Sequence, residues 1–408
     1  MTESNGGGAL SGVRVLDLIQ FEAGPSCTEA LGFLGAEVVK VENPKGGDQG
    51  RYASTEAPGT DAYYFLLFNA NKKSLTCNLK SEQGLALVKD LARKADVFIE
   101  NFGPGVIERL GLGWDVLREI NPRLIYAQVK GFGEGSPYEN FLSFDMIGQS
   151  TGGLLSITGE ADGPPAKPGT TVGDTGTGML CAISILGALY QRQGSGRGQR
   201  IQIAMQDAMI QYSRVAYAVQ AVTGKAAPRN GAKVITGGTA PCGIFPCKPG
   251  GPNDYVYIYT TRAANHQWER LLKAIGREDL IDDARFANPK ERLKHEAEVE
   301  AMLSEWTGQR DKREAMAILG EAGVPAGAVL DTEELMADPD LEARGIFQTV
   351  AHPARGDFKM PAWPVKMSDS KVPLDPAPLL GEHSEAVLGD WLGLGPDEVA
   401  ALKADGAL

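Results

Sequence analysis

Within the first 130 residues, short apolar runs alternate with amphipathic ones across glycine and proline turns, and this alternation limits what the chain can fold into. Residues 14–19 read as an apolar strand. Gly24-Pro25 turns the chain, residues 27–34 read as a helix that Gly35 ends, and residues 37–42 alternate as a second strand. Two strands joined through a helix pair in parallel with a right-handed crossover. The pattern then repeats. Residues 81–94 read as a helix capped by Ser81, with Leu85, Leu87, Val88 and Leu91 as its apolar positions. Residues 95–100 form a strand, 106–112 and 114–120 short helices, and 124–129 another strand. Such repetition specifies a Rossmann-like α/β domain.

At 408 residues the chain is long enough for two domains. Residues 1–223 make the large Rossmann-like domain, closing with a strand at 201–204 and one long helix at 205–222. Residues 224–238, rich in Gly, Lys and Arg, form a linker. A smaller α+β domain follows over 239–342, with strands at 256–259 and 324–329 among helices. Residues 343–376 form a second linker with a β-rich stretch at 353–364, and 377–408 a C-terminal segment of two helices.

Several function classes are excluded. The formal net charge of −12 disfavours nucleic acid and anionic membrane as partners. No apolar run approaches the length that spans a bilayer, and the polar, glycine-rich residues 1–8 lack the features of a signal peptide. Five scattered cysteines (Cys27, Cys77, Cys181, Cys242, Cys247) suit a reducing cytoplasm, and the spacing of the last two is wrong for a zinc site, so no metal is expected. The four histidines all lie at or beyond His266, which leaves the large domain without a histidine base of its own. Glu42 ends the second strand where a ribose-binding acid would stand. The turn 20–26 nevertheless lacks the G-x-G-x-x-G pattern that lets a pyrophosphate approach the backbone, which argues against a dinucleotide.

Asp174 is the residue with the clearest chemical potential. It lies in Thr170-Thr171-Val172-Gly173-Asp174-Thr175-Gly176-Thr177-Gly178, directly ahead of an apolar helical stretch at 180–190. Two readings fit: a helix cap, or a carboxylate nucleophile kept ionised by the amides and dipole of the helix.

Further motifs decide between them. These are residues 21–28 (FEAGPSCT), 33–42 (FLGAEVVKVE), Gly46-Gly47-Asp48, 69–74 (NANKKS), 100–105 (ENFGPG), Asp174 in its glycine turn, Gly196-Arg197-Gly198-Gln199, and 378–383 (PLLGEH). In this order, over about 380 residues, they resemble the family III CoA-transferases. The resemblance implies a ring-shaped chain forming an interlocked homodimer, with the C-terminal segment returning to the large domain. It implies acyl-CoA esters and small carboxylic acids as substrates, and no permanently bound cofactor. It makes Asp174 the nucleophile, with Gly173, Thr175, Gly237 and Gly238 as its oxyanion and active-site loops. Asn71, Lys72, Lys73, Asn101, Phe102, Arg109 and Met205 match CoA-binding positions. Lys72 and Lys73, read as lying on a polar turn, would meet phosphates. Glu22, Phe144 and Asp145 match positions that select the acyl group.

The chain also departs from the family pattern. Oxalate-using members have glutamine where Glu22 stands, and an acid beside Asp174 must take up a proton or find a cation. The mobile glycine-rich loop is reduced to Gly237-Gly238. Related racemases place a histidine shortly before the catalytic acid, where this chain has Ser143-Phe144-Asp145. The rival readings are therefore an acyl-CoA racemase or epimerase, and a non-catalytic CoA-binding protein.

Overall fold

The computed structural model describes residues 7–54, 59–261 and 265–408. Most of the polar N-terminal stretch 1–8 lies outside the described residues. The chain divides into two units, one of residues 7–154, 167–213 and 340–408, the other of 155–166 and 214–339.

In the first unit, β1 (Arg14–Leu18), α1 (Ala23–Phe33) and β2 (Glu37–Glu42) form the first crossover. After them come α2 (Tyr63–Phe68), β3 (Lys72–Thr76), α3 (Glu82–Lys94), β4 (Val97–Glu100), α4 (Val106–Arg109), α5 (Trp114–Ile120) and β5 (Ile125–Lys130). Then follow α6 (Asp145–Thr151), α7 (Val172–Ser195), β6 (Arg200–Ala204) and α8 (Met205–Tyr212). The six strands pair in parallel in the order β3-β2-β1-β4-β5-β6, the doubly wound arrangement.

Side chains alternate across this sheet with the period of two that strands impose. Val15, Val38, Val97 and Ile125 face Cys27 and Leu31 of α1 and Cys181, Ile185 and Leu189 of α7. Leu16, Val39, Phe98 and Tyr126 face Leu87 and Leu91 of α3 and Leu117 of α5.

The second unit contains α9 (Arg214–Thr223), β7 (Cys242–Pro246), β8 (Tyr255–Tyr259), α10 (His266–Ala274), α11 (Pro289–Lys294), α12 (Glu296–Thr307), α13 (Lys312–Glu321), β9 (Ala326–Ala328) and α14 (Thr332–Met336). Its antiparallel sheet, β7-β8-β9, packs Phe245, Val256 and Ile258 against Trp268, Leu271, Leu303 and Leu319. α15 (Pro339–Ala343) then leads to the hairpin β10 (Phe347–His352) and β11 (Gly356–Pro361), and to α16 (Ser384–Leu392) and α17 (Pro396–Ala404). Residues 340–408 belong to the first unit, where Val387, Leu388, Trp391 and Val399 complete the core on the α3 side.

Several elements differ from the sequence expectation; Gly24-Pro25, read as a turn ahead of the helix, lies inside the first turn of α1. Residues 72–76 form β3 rather than a polar turn, because the lysines that disguise the strand find acidic partners on β1 and β2. The helix expected over 205–222 is two helices, α8 and α9, that break at Ser213, where the two units divide. The stretch 343–376, read as a linker with a β-rich part at 353–364, carries the β10–β11 hairpin, which begins earlier, at Phe347, and whose Val350 and Met360 pack with Ala70. Contrary to the hydropathy reading, α7 at 24 residues is long and apolar enough by composition to cross a bilayer. In the fold it lies against α1, β5 and β6.

α1 and α7 approach closely at Gly178. A Cβ there would run into the Ala23 carbonyl oxygen, with Ser26 Cβ and Cys27 N at 3.0 and 3.1 Å. Gly187 of the same helix has nothing within 4 Å of such a Cβ. Gly178→Ala is therefore expected to destabilise the fold by about 1–3 kcal/mol through overpacking. Gly187→Ala should be neutral or stabilise by up to about 1 kcal/mol. Urea denaturation of both variants checks the contrast, and equal effects would contradict the close packing.

Candidate active site

In a doubly wound sheet, the loops after neighbouring strands part where the strand order reverses, leaving a crevice at the carboxyl edge. Here the reversal lies between β1 and β4. A cleft of about 330 Å³ opens there, lined among others by Gln20, Phe21, Asn101, Phe102, Lys130, Phe144, Asp174 and Met205. Asn101 clasps the two loops: its Oδ1 accepts from the Gln20 amide at 2.9 Å, and its Nδ2 donates to the Gln20 carbonyl at 2.8 Å. Phe21 adopts φ +64°, a left-handed conformation that costs a bulky residue about 1–3 kcal/mol. The Phe21 amide holds that turn by donating to Asp48 Oδ1 at 3.0 Å, and its ring meets the Phe144 ring edge-on at 6.0 Å. Asp48 is fixed in turn by the buried Lys40 ammonium 2.7 Å away, which also donates to the Ile19 carbonyl at 2.6 Å.

Asp174 lies in the first turn of α7, whose N-cap is Thr171, so the aspartate is neither the cap nor part of a preceding turn. The amides expected to receive an oxyanion are already engaged. Those of Asp174 and Thr175 donate to the Thr171 carbonyl at 3.1 and 2.9 Å, and that of Gly173 donates to Asp145 Oδ1 at 2.9 Å.

Two other carboxyls flank Asp174. Glu22 is 2% exposed and accepts from three hydroxyls: Thr171, Thr175 at 2.7 Å and Tyr64 at 3.3 Å. Asp145, also buried, accepts from Gln149 Nε2 at 2.8 Å and pairs with Lys167 at 3.4 Å. Among the described residues, none donates a hydrogen bond to the Asp174 carboxylate.

Burial, and then the negative charges of Glu22 and Asp145, push the Asp174 carboxyl up to about 7. This corrects the expectation that the helix keeps it ionised, because the amide ends that would favour the charge serve other acceptors. Glu22 was expected to take up a proton or find a cation. It finds three hydroxyls instead.

The other expected site residues are dispersed. Phe102 and Met205 line the cleft, and Phe144, although exposed, caps α6 at its rim. Lys72 is buried on β3, where its Nζ donates to Asn69 Oδ1 at 2.9 Å and the Pro25 carbonyl at 3.2 Å and lies 3.5 Å from Asp17. Burial brings its ammonium down to about 8. It is closed to any phosphate. Lys73 is half-exposed and paired with Glu37 at 2.6 Å.

Asn71, at φ +60°, ties down the returning chain through the Pro373 carbonyl and the Asp375 amide. Arg109 ends α4 outside the cleft lining. Gly237 and Gly238 belong to the second unit.

The sequence reading missed Tyr64, Thr171, Lys130 and Lys167. Tyr64 was hidden in the apolar run of α2. Thr171 and Thr175, one helical turn apart on either side of Asp174, were a readable signal. Lys130 pairs with Glu100 at 2.7 Å at the cleft wall. A second cavity of about 540 Å³ shares Gln20 and Phe102 with the cleft, and Lys45, Asn78 and Lys80 are in its lining.

The chain is similar to known proteins over nearly its whole length. The model of the family described as CoA-transferase family III matches residues 10–384. A formyl-CoA:oxalate CoA-transferase of Streptomyces avermitilis is 41% identical over 413 residues, covering 98% of this chain and 99% of that one. A protein of the same name from Streptomyces coelicolor is 42% identical with the same coverage. Among solved structures, a CAIB/BAIF family protein from Brucella suis aligns with a TM-score of 0.83 at 32% identity, over 94% of this chain and 100% of that one.

The raised Asp174 carboxyl has a consequence for stability. It ionises near its ordinary 3.8 in the unfolded chain and near 7 in the fold, so the fold disfavours its charged form. The stability tied to the neutral form is complete below about 3.8, falls as pH rises, and is gone above about 7. Asp174→Asn should therefore raise Tm by a few degrees at pH 8, and the gain should vanish as pH falls toward 4. Thermal denaturation across that range checks it, and a gain independent of pH would contradict the raised carboxyl.

Proposed function

The chain belongs to CoA-transferase family III, and we propose that it moves CoA from an acyl-CoA donor to a carboxylic acid acceptor through Asp174. One observation carries this reading: a buried carboxylate, without a hydrogen bond among the described residues, faces the cleft at the switch point of the sheet. Its ionised form attacks the thioester carbonyl, giving an aspartyl–acyl anhydride and CoA thiolate. The thiolate attacks the aspartyl carbonyl, releasing the first acid and leaving an aspartyl-CoA thioester. The acceptor carboxylate attacks that thioester, giving a second anhydride and freeing the thiolate. Thiolate attack on the acceptor's acyl carbon then yields the new acyl-CoA and restores Asp174. Each step exchanges one activated acyl group for another. Anhydrides hydrolyse readily, so the buried setting of Asp174 supports the scheme by limiting water.

For the CoA moiety, Phe102 and Met205 offer apolar surface to the pantetheine arm. The adjoining cavity offers Lys45 and Lys80 to the phosphates, in the role expected of Lys72 and Lys73. The names of the Streptomyces relatives support formyl-CoA and oxalate as the first donor and acceptor to test. The working form is proposed as a cytoplasmic homodimer, interlocked as the family resemblance implies. Exposed Ile183 and Tyr190 on α7 are consistent with a covered face.

Asp174→Ala should lower transfer by about a thousandfold or more while CoA binding persists. Hydroxylamine should trap an adduct on the peptide carrying Asp174 when the wild-type protein meets acyl-CoA. An Ala variant that keeps more than about a tenth of wild-type turnover would rule out the covalent route. Lys45→Ala and Lys80→Ala should each raise KM for CoA esters about fivefold or more with little change in kcat, the pattern of a binding group remote from the reaction. Steady-state kinetics that show a fall in kcat alone would contradict the phosphate assignment.

A further inference from the structure

Four donors around Asp174 are committed to other acids, and the amides of Asp174 and Thr175 to the Thr171 carbonyl. The hydroxyls of Thr171 and Thr175 stand three residues before it and one after it on the same turn, and both go to Glu22 Oε1. The Tyr64 hydroxyl goes to Glu22 Oε2. The amide directly before Asp174, that of Gly173, goes to Asp145. These three hydroxyls occupy lone pairs on both oxygens of the Glu22 carboxyl. Glu22 itself is 2% exposed and is not among the residues that line the cleft.

We infer that Glu22 is a positioning residue for the transfer, drawing the Thr171, Thr175 and Tyr64 hydroxyls away from Asp174 while Asp145 holds the Gly173 amide, so that the nucleophile stays bare. The inference rests on the covalent role proposed for Asp174. Hydrogen bonds to an ionised carboxylate stabilise it and weaken it as a nucleophile, so removing them raises its basicity and its reactivity toward a thioester. The two like charges act in the same direction.

The titratable groups facing Asp174 are Glu22 ahead of α1, Tyr64 on α2 and Asp145 on α6, with Lys167 beyond Asp145 and paired to it. Among the described residues, no cation pairs with Asp174 itself. Glu22→Gln removes a charge, keeps the shape, and lets the threonine hydroxyls turn toward Asp174.

The test is the pH profile of kcat/KM for an acyl-CoA in the wild type, Glu22→Gln, Asp145→Asn and Asp174→Ala. The wild-type rate should rise with pH through a midpoint near 7, as the nucleophile ionises. In Glu22→Gln the midpoint should fall by about one pH unit, the scale of a nearby like charge at intermediate dielectric. The high-pH plateau should drop about threefold, following the lost basicity. Asp145→Asn should shift the midpoint in the same direction, and it decides the matter if Glu22→Gln does not fold. A residue that only supports the fold would lower activity at every pH and leave the midpoint in place. Unmoved midpoints in the folded variants, with Asp174→Ala inactive, overturn this inference and leave the covalent role standing. An active Asp174→Ala overturns both.

Discussion

The close approach of α7 to α1 at Gly178 determines where the chemistry stands. Gly178 is one helical turn beyond Asp174 on the same side of α7, and the backbone it meets, the Ala23 carbonyl, directly follows Glu22. With no side chain between them, the helices come together until the first turn of α7 lies beside the start of α1. Asp174, Thr171 and Thr175 are then brought to Glu22 by main-chain packing rather than by long flexible side chains. The sheet beneath supplies the register, since Cys181, Ile185 and Leu189 continue the same stripe of α7 onto β1, β4 and β5.

Charge inside the fold supports this placement from the other side. Lys40, Asp48, Asp17, Lys72, Glu42 and Arg51 are all nearly inaccessible to solvent, and each has an opposite partner close by. Burial tends to lower the Lys40 ammonium, but the carboxylates of Asp48, Asp17 and Glu42 outweigh it and raise it. Buried pairs of this kind add little net stability against an apolar alternative, yet breaking one by removing a single partner costs about 3–5 kcal/mol. Their effect here is geometric: Lys40 and Asp48 together pin the carbonyl of Ile19 and the amide of Phe21, and thereby the strained turn that opens the cleft. The strain at Phe21 persists because the surroundings overdetermine it.

The parallel sheet was legible because each β-α-β unit announces itself locally, through period and turn residues. Asp174 was legible as a site for the same reason, since its glycines and following helix are contiguous in sequence. What the sequence concealed depends on residues brought from afar. Lys72 and Lys73 looked like a solvated turn because Asp17 and Glu37, their partners, lie on other strands. The amides at residues 173–175 looked free because Asp145, which takes one of them, sits on another helix. The upward shift of the Asp174 carboxyl is not legible in the sequence, because its two acidic neighbours are 152 and 29 residues away in the chain. No glycine or proline marks the break between α8 and α9 at Ser213, so the sequence reads there as one helix.

The central claim is that the Asp174 carboxylate exchanges oxygen with the substrate acids as it relays CoA. Turnover with an acceptor acid labelled with 18O in its carboxyl group tests this directly. The anhydride route returns Asp174 carrying an oxygen from the acceptor, so after digestion and mass spectrometry 18O should appear in the peptide containing Asp174 and in no other. Product formed without label in that peptide would mean that CoA passes between the two acids without the aspartate, and would contradict the account.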